Sequence, residues 1–357
     1  MVQEWNDILK LEPLTSFFLR FNSMLNKLLL NFRFLKKQKE REEEVMGVPL
    51  LDNQDYNRRM KNEILQWEKE FKGRMYGQAP PIWSKVEERF ADAIKAATGV
   101  RNLYEYVARH VKGKKYVDVL GLGSGACGNE LDGIAPCLKQ QSCQMDLACI
   151  DINENILEQA AVEASKRGIN FRKIVQDINQ IELEPNSYDV VVAYSALHHF
   201  VELDHIASVI NSALREDGIF VTVDVPTRNG YLMWDETYEV VSAIFKVLPP
   251  KFKIAHSGYP EPTYVDQYEN KDYSKDSFEC INSEDIIPAL RAHLREIHFV
   301  PALAFARRFF DGIFGYNYNL EEALDHAIFE YIMSLDNYYI QEKILKPECF
   351  FGVYAKK

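Results

Sequence analysis

Three closely spaced glycines, Gly121, Gly123 and Gly125, interrupt the chain in the stretch YVDVLGLGSGACGNE (116–130), just after an apolar run. A loop of this composition between a strand and a helix suits a dinucleotide, a nucleoside triphosphate, or a ligand without phosphate that needs only close backbone approach. The triphosphate is set aside, because no Lys-Ser/Thr pair follows the last glycine to hold phosphates and magnesium. GLGSGA (121–126) does satisfy the degenerate dinucleotide pattern, which also asks for an acid about 20 residues on, at the carboxyl end of the next strand. Asp146 has that spacing but begins its strand, whereas Asp151 in ACIDIN ends it, 30 residues after Gly121. A nicotinamide oxidoreductase is therefore weakened but stays open. Two more segments bear chemistry: QDIN (176–179) carries Asp177, and YSALHHF (194–200) carries His198 and His199. Either histidine can take a hydroxyl proton near neutral pH.

The elements that must position these residues follow from periodicity. Short apolar runs at 116–120, 146–150, 170–175, 188–194 and 218–225 predict strands, and 126–140, 153–167 and 202–215 predict helices. Strands alternating with helices predict a parallel sheet covered on both faces, and the right-handed crossover rule makes it doubly wound. Its successive strand ends then bring the glycine loop, Asp151, Asp177 and the Tyr194–His199 segment to one edge. Two later strands are predicted at 295–303 and 349–357, for seven in all, with insertions at about 227–292 and 304–347 that can build a substrate pocket. Helices at 56–72 and 84–97 place residues 1–105 as an all-helical extension and 106–357 as the α/β domain.

Composition narrows the class. With 47% hydrophobic and 27% charged residues, the 357-residue chain reads as a folded globular protein rather than a disordered or multispan one. A net charge of −11 argues against nucleic acid as the main partner. Six cysteines without a C-x-x-C pair predict reduced thiols, and no histidine spacing suggests a metal, so none is assigned. The start MVQEWNDILKLEP lacks a secretory pattern and no apolar run is long enough to span a membrane, so a cytoplasmic location is expected. Apolar residues from Leu14 to Leu35 recur at three- and four-residue steps amid basic residues. They predict a helix that packs on its own domain, meets a dimer partner, or lies on a membrane surface.

The set of strand ends, glycine loop, Asp, Asp, then Tyr-Ser with two histidines, resembles class I S-adenosylmethionine-dependent methyltransferases. From about residue 60 onward, WEKEF (67–71), LREDGIFVTVDVPTRNGYLMWDETYEVVSAIFKVLP (214–249), SFECINSEDIIPALR (277–291) and FFGVYAKK are similar to a branch of bacterial methyltransferase-domain proteins that accompany glycan or natural-product assembly. The resemblance implies S-adenosylmethionine as cofactor and a small-molecule acceptor, a hydroxyl of a sugar, lipid-linked intermediate or secondary metabolite. It implies that Gly121, Gly123 and Gly125 admit the cofactor, that Asp151 binds the ribose and Asp177 the adenine amino group, with Ile152 and Ile178 on the purine faces and Tyr194 and Ser195 lining the site. His199, ahead of His198, is the expected base if one is needed, with Asp224 a further candidate. Tyr231, Trp234 and RRFFDGIFGYNY (307–318) either wall the acceptor pocket or form the core of an insertion. One departure stands out: the family's acid two places before the first glycine, which supports the cofactor's amino group, is Val119 here, and Asp118 points to the other face. A cofactor-binding scaffold without turnover is the remaining alternative.

Overall fold

The apolar run that opens at Tyr116 becomes strand β1 (Tyr116–Leu122), buried along its last four residues, and it starts a sheet in the computed structural model, which describes residues 52–73, 79–257 and 261–357. The amphipathic segment 14–35 lies outside the described residues. After β1 come β2 (Gln144–Asp151), β3 (Asn170–Val175), β4 (Tyr188–Tyr194) and β5 (Leu214–Asp224), and these five strands are parallel to one another. A two-residue antiparallel pair, β6 (Ile254–Ala255) and β7 (Thr263–Tyr264), sits in the first insertion and has no counterpart in the sequence reading. β8 (Arg295–Ala302) and β9 (Cys349–Ala355) complete a seven-stranded sheet in the order β3-β2-β1-β4-β5-β9-β8, with β9 antiparallel to both its neighbours. The expected doubly wound, mostly parallel α/β sheet is present.

Helices cover both faces. They are α1 (Asn53–Gly73), α2 (Trp83–Thr98), α3 (Leu103–His110), α4 (Ala135–Gln140), α5 (Glu154–Lys166), α6 (Leu203–Ala213), α7 (Asp235–Val247), α8 (Ile286–His293), the single turn α9 (Arg307–Phe310) and α10 (Ala323–Gln341). Alternation along the strands sends Val117 and Val119 to one face and Leu120 and Leu122 to the other. The first face shares a core with Val86 of α2, Tyr106 and Val107 of α3, and Ile244 and Phe245 of α7; the second packs on Ile206 and Ile210 of α6 and Leu290 of α8. Residues 79–105 thus pack directly on the sheet. Phe309, Phe310, Phe314 and Tyr318 are buried in the first core, so most of the 307–318 aromatic set is packing rather than pocket wall.

The helix after the glycine loop departs from expectation. It begins at Gly128 rather than Ala126, because Cys127 adopts φ 55°, and its first turns, Asn129–Ile134, are π-helical. Pro136 lacks the N–H that the Asp132 carbonyl would need for an α-helical bond, which favours the wider turn.

A buried ion pair fixes the end of the second insertion. Arg308 donates from Nε to Glu348 Oε2 at 2.6 Å and from a terminal nitrogen to Oε1 at 2.9 Å, and its guanidinium lies 4.0 Å from the Tyr231 ring centroid. Both members are almost fully enclosed. Glu348→Gln strands a buried cation and is expected to cost about 3–5 kcal/mol in urea denaturation; a change near zero would show that water reaches Arg308.

Candidate functional site

The carboxyl ends of β1, β2, β3, β4 and β5 share one edge, as parallel pairing requires. At the glycine loop, Gly123 has φ 59°, and a Cβ there would lie 3.1 Å from Ala196 Cβ and 3.3 Å from the Phe200 ring. Both conformation and closeness of the β4 loop require glycine. Gly121 has a different reason: its Cβ would meet Ser124 Oγ at 2.1 Å and Glu130 Oε1 at 2.5 Å. Asp151, ending β2, ties the loop down. Its Oδ2 accepts from Gly125 N at 2.8 Å and its Oδ1 from Asn153 N at 2.8 Å. Burial raises its pKa, and those backbone N–H groups partly offset the rise.

Asp177 follows β3 and meets the N-terminal helix. Tyr56 of α1 donates its hydroxyl to Asp177 Oδ2 at 2.7 Å, while Asp177 Oδ1 accepts from Asn179 N at 2.9 Å. Beside this contact lies a cavity of about 360 Å³ lined by Tyr56, Met60, Ile152, Val175, Asp177 and Gln180, among others. Ile152 faces that cavity; Ile178 instead packs against the second core. Helix α1 is thus a roof. It is anchored on the far side by Arg58, which donates to Asp276 Oδ1 at 2.6 Å, and by Arg59, which donates to the Ser277 carbonyl at 2.9 Å.

The histidine segment is set by a buried carboxylate. Ser195 takes φ 49°, which turns the chain so that the N–H groups of Ala196 and Leu197 reach Asp224 Oδ2 at 2.9 and 2.8 Å. Asp224 Oδ1 accepts from Val225 N at 2.8 Å and from His198 Nδ1 at 2.6 Å. Burial opposes the charge on Asp224, but His198 and these N–H groups prevail and hold its pKa low. With every contact committed, Asp224 anchors the loop and leaves no lone pair free for a substrate proton. Because an ionised carboxylate only accepts, His198 Nδ1 donates this bond, and its Nε2 lies 3.9 Å from Glu279 Oε1.

His199 is in another state. Its Nδ1 lies 2.9 Å from Glu63 Oε1 of α1, and its Nε2 lies 3.7 Å from Glu279 Oε2. Glu63 is itself held by Trp67 Nε1 at 2.8 Å and Phe278 N at 3.2 Å. Burial disfavours the His199 cation, but Glu63, Glu279 and Asp224 outweigh it and push the pKa up to about 9. At neutral pH this imidazolium has no lone pair to offer. Tyr194, at the end of β4, is partly exposed along the same edge. Tyr56 and Glu63 escaped the sequence reading because they fall in the extension. Their signal was a helical face, 56-59/60-63-67, that mixes aromatic and charged residues where a purely packing helix would be apolar. Two clusters, Cys127-Glu130-Cys149 and His198-Glu279-Cys280, also bring three donor atoms within 4.8 Å of one another, neither at a recognisable sequence spacing.

Residues 110–247 match the methyltransferase domain family. That segment holds β1 to β5 and the glycine loop, so the chain carries a methyltransferase domain, which implies S-adenosylmethionine as cofactor. The nicotinamide oxidoreductase is set aside accordingly. No curated protein matches the chain. Similar solved structures include the [4+2]-cyclase SpnF, 15% identical over 71% of this chain and 80% of that one, TM-score 0.41. A protein of Pyrococcus horikoshii OT3 is 13% identical over 80% and 97%, TM-score 0.40. Geranyl diphosphate methyltransferase is 13% identical over 71% and 77%, TM-score 0.40. No helix among the described residues is long and apolar enough to cross a membrane.

The His199 environment sets a pH dependence. Its folded pKa of about 9 lies above the ordinary 6.5, so its ion pairing stabilises the fold fully below about 6.5 and is lost as pH rises through about 9. The thermal midpoint is expected to fall across that window, and Glu63→Gln to flatten the fall. A variant with the wild-type slope would mean that Glu63 does not hold the proton.

Proposed function

We propose that this methyltransferase acts on a hydroxyl of a small molecule, a sugar, lipid-linked intermediate or secondary metabolite. The observation that supports it is the Asp224-His198 pair: Asp224 fixes Nδ1 as the donor, which leaves Nε2 as the atom able to take a proton, beside a loop packed on Gly123. When bound, S-adenosylmethionine supplies a methyl group on a sulfonium that leaves readily. The site fits that cofactor: the space a Cβ would take at Gly125, φ 50°, is open with nothing within 4 Å, and a cavity lies between β2, β3 and α1.

In this reading Asp151 binds the ribose hydroxyls, Ile152, Asp177 and Tyr56 enclose the adenine, and Tyr194 lines the site. Ile178 supports the Asp177 turn from the core side. His198 would take the acceptor's hydroxyl proton at Nε2 as that oxygen accepts the methyl group the cofactor would supply. The His199 cation holds Glu63 and Glu279, and so α1, against the crevice. Alignment of acceptor oxygen, methyl and sulfur supplies much of the acceleration. The order of the two histidines is thus the reverse of the one expected from sequence. Six free cysteines support work in a reducing compartment such as the cytoplasm. Residues 14–35 are proposed to serve dimer or membrane-surface contact rather than the cofactor.

Calorimetric titration with S-adenosylhomocysteine, with NADH in parallel, tests the site. Asp151→Ala is expected to weaken S-adenosylhomocysteine by about 1–3 kcal/mol, and unchanged affinity removes Asp151 from the site. With an acceptor found by labelled methyl transfer, His198→Gln is expected to lower kcat by about a hundredfold or more at unchanged cofactor affinity. Equal turnover would sink the base assignment. Deleting residues 1–50 is expected to leave S-adenosylhomocysteine binding intact.

A further inference from the structure

Beneath the glycine loop, Glu130 is 3% exposed, and the two oxygens of its carboxyl group differ. Oε1 accepts from Ser124 Oγ at 2.9 Å, whereas Oε2 is buried and has no hydrogen-bond partner. No Lys, Arg or His nitrogen among the described residues pairs with it; the nearby donor atoms are the thiols of Cys127 and Cys149, which bring no positive charge. Burial pushes its pKa up to about 7, so the charge it carries near neutral pH is poorly compensated. A half-satisfied buried carboxyl group is costly, and it strengthens any cation that can reach it.

Its position says which cation. The carboxylate occupies the space beside Gly121, 2.5 Å from where a Cβ would be, on the strand face that also carries Val119. It therefore reaches the carboxyl end of β1 from the helix behind, and Ser124 ties it to the loop that the cofactor must cross. If Asp151 and the cavity beyond it take the adenosine, the amino-acid end of the cofactor falls toward β1 and this loop. That end carries an α-ammonium with three N–H donors, while the sulfonium has none. We infer that Glu130 receives the α-ammonium of bound S-adenosylmethionine, directly or through one bridging water. The side chain that Val119 does not provide from the strand is supplied from the following helix, and Gly121 is small to let it through.

This rests on the cofactor placement proposed above. The experiment is calorimetric titration of wild type and Glu130→Gln, which retains size and the Ser124 contact, with two ligands: S-adenosylhomocysteine and a synthetic analogue lacking only the α-amino group. Wild type is expected to bind S-adenosylhomocysteine about tenfold or more tightly than the analogue. Glu130→Gln is expected to bring S-adenosylhomocysteine down to the analogue's affinity while leaving the analogue's unchanged. Equal affinities in wild type would overturn the proposal with no variant needed. Equal weakening of both ligands in Glu130→Gln would overturn it in favour of a structural role for Glu130. Binding of neither ligand to wild type would instead bring down the placement itself.

Discussion

The candidate site hangs on the carboxylate of Asp224. It is fully enclosed at the end of β5 and receives three backbone N–H groups and one imidazole N–H. Taking such a charge out of water is costly, and only a complete set of donors makes it tolerable. Those donors come from β4's loop and from Asp224's own neighbour, so one group fixes the turn at Ser195, the orientation of His198 and the approach of Ala196 and Phe200 to Gly123. Loss of any one donor would loosen the histidine segment and its packing on the glycine loop together.

A second layer of charge closes the site from outside the sheet. Glu63 reaches in from α1 and Glu279 from the first insertion, and both face His199, while His198 looks toward Glu279. Three carboxylates around two imidazoles favour keeping one ring protonated, and the contacts select His199. The same helix places Tyr56 on Asp177. Electrostatics therefore makes α1 part of the candidate site, so the roof and the cavity beneath it should tighten or loosen as a unit.

Much of the sheet was legible because it rests on local pattern. β3 and β4 fall on the residues expected, and the others differ by a few positions at their ends. The glycine loop and Asp151 were legible for the same reason: a strand followed by a tight turn needs glycine, and a strand end that faces a crevice tolerates an acid. The π-helical start after Cys127 was hidden, since it depends on a single positive φ and on Pro136 eight residues beyond Gly128. The 307–318 aromatics were ambiguous until their burial showed them to be core.

Sequence alone determined the α/β class, the strand ends that share one edge and the residue types placed there, because period-two and helical periodicities are written residue by residue. Only tertiary structure decided what each titratable group does. Whether a histidine is a base or a cation, and whether an aspartate is a reagent or an anchor, depends on charges contributed from 135 to 136 residues earlier and from 26 or 80 to 81 residues later, as Glu63, Asp224 and Glu279 are for His198 and His199. Such distances leave no spacing signal, and the fields they set act through space rather than along the chain.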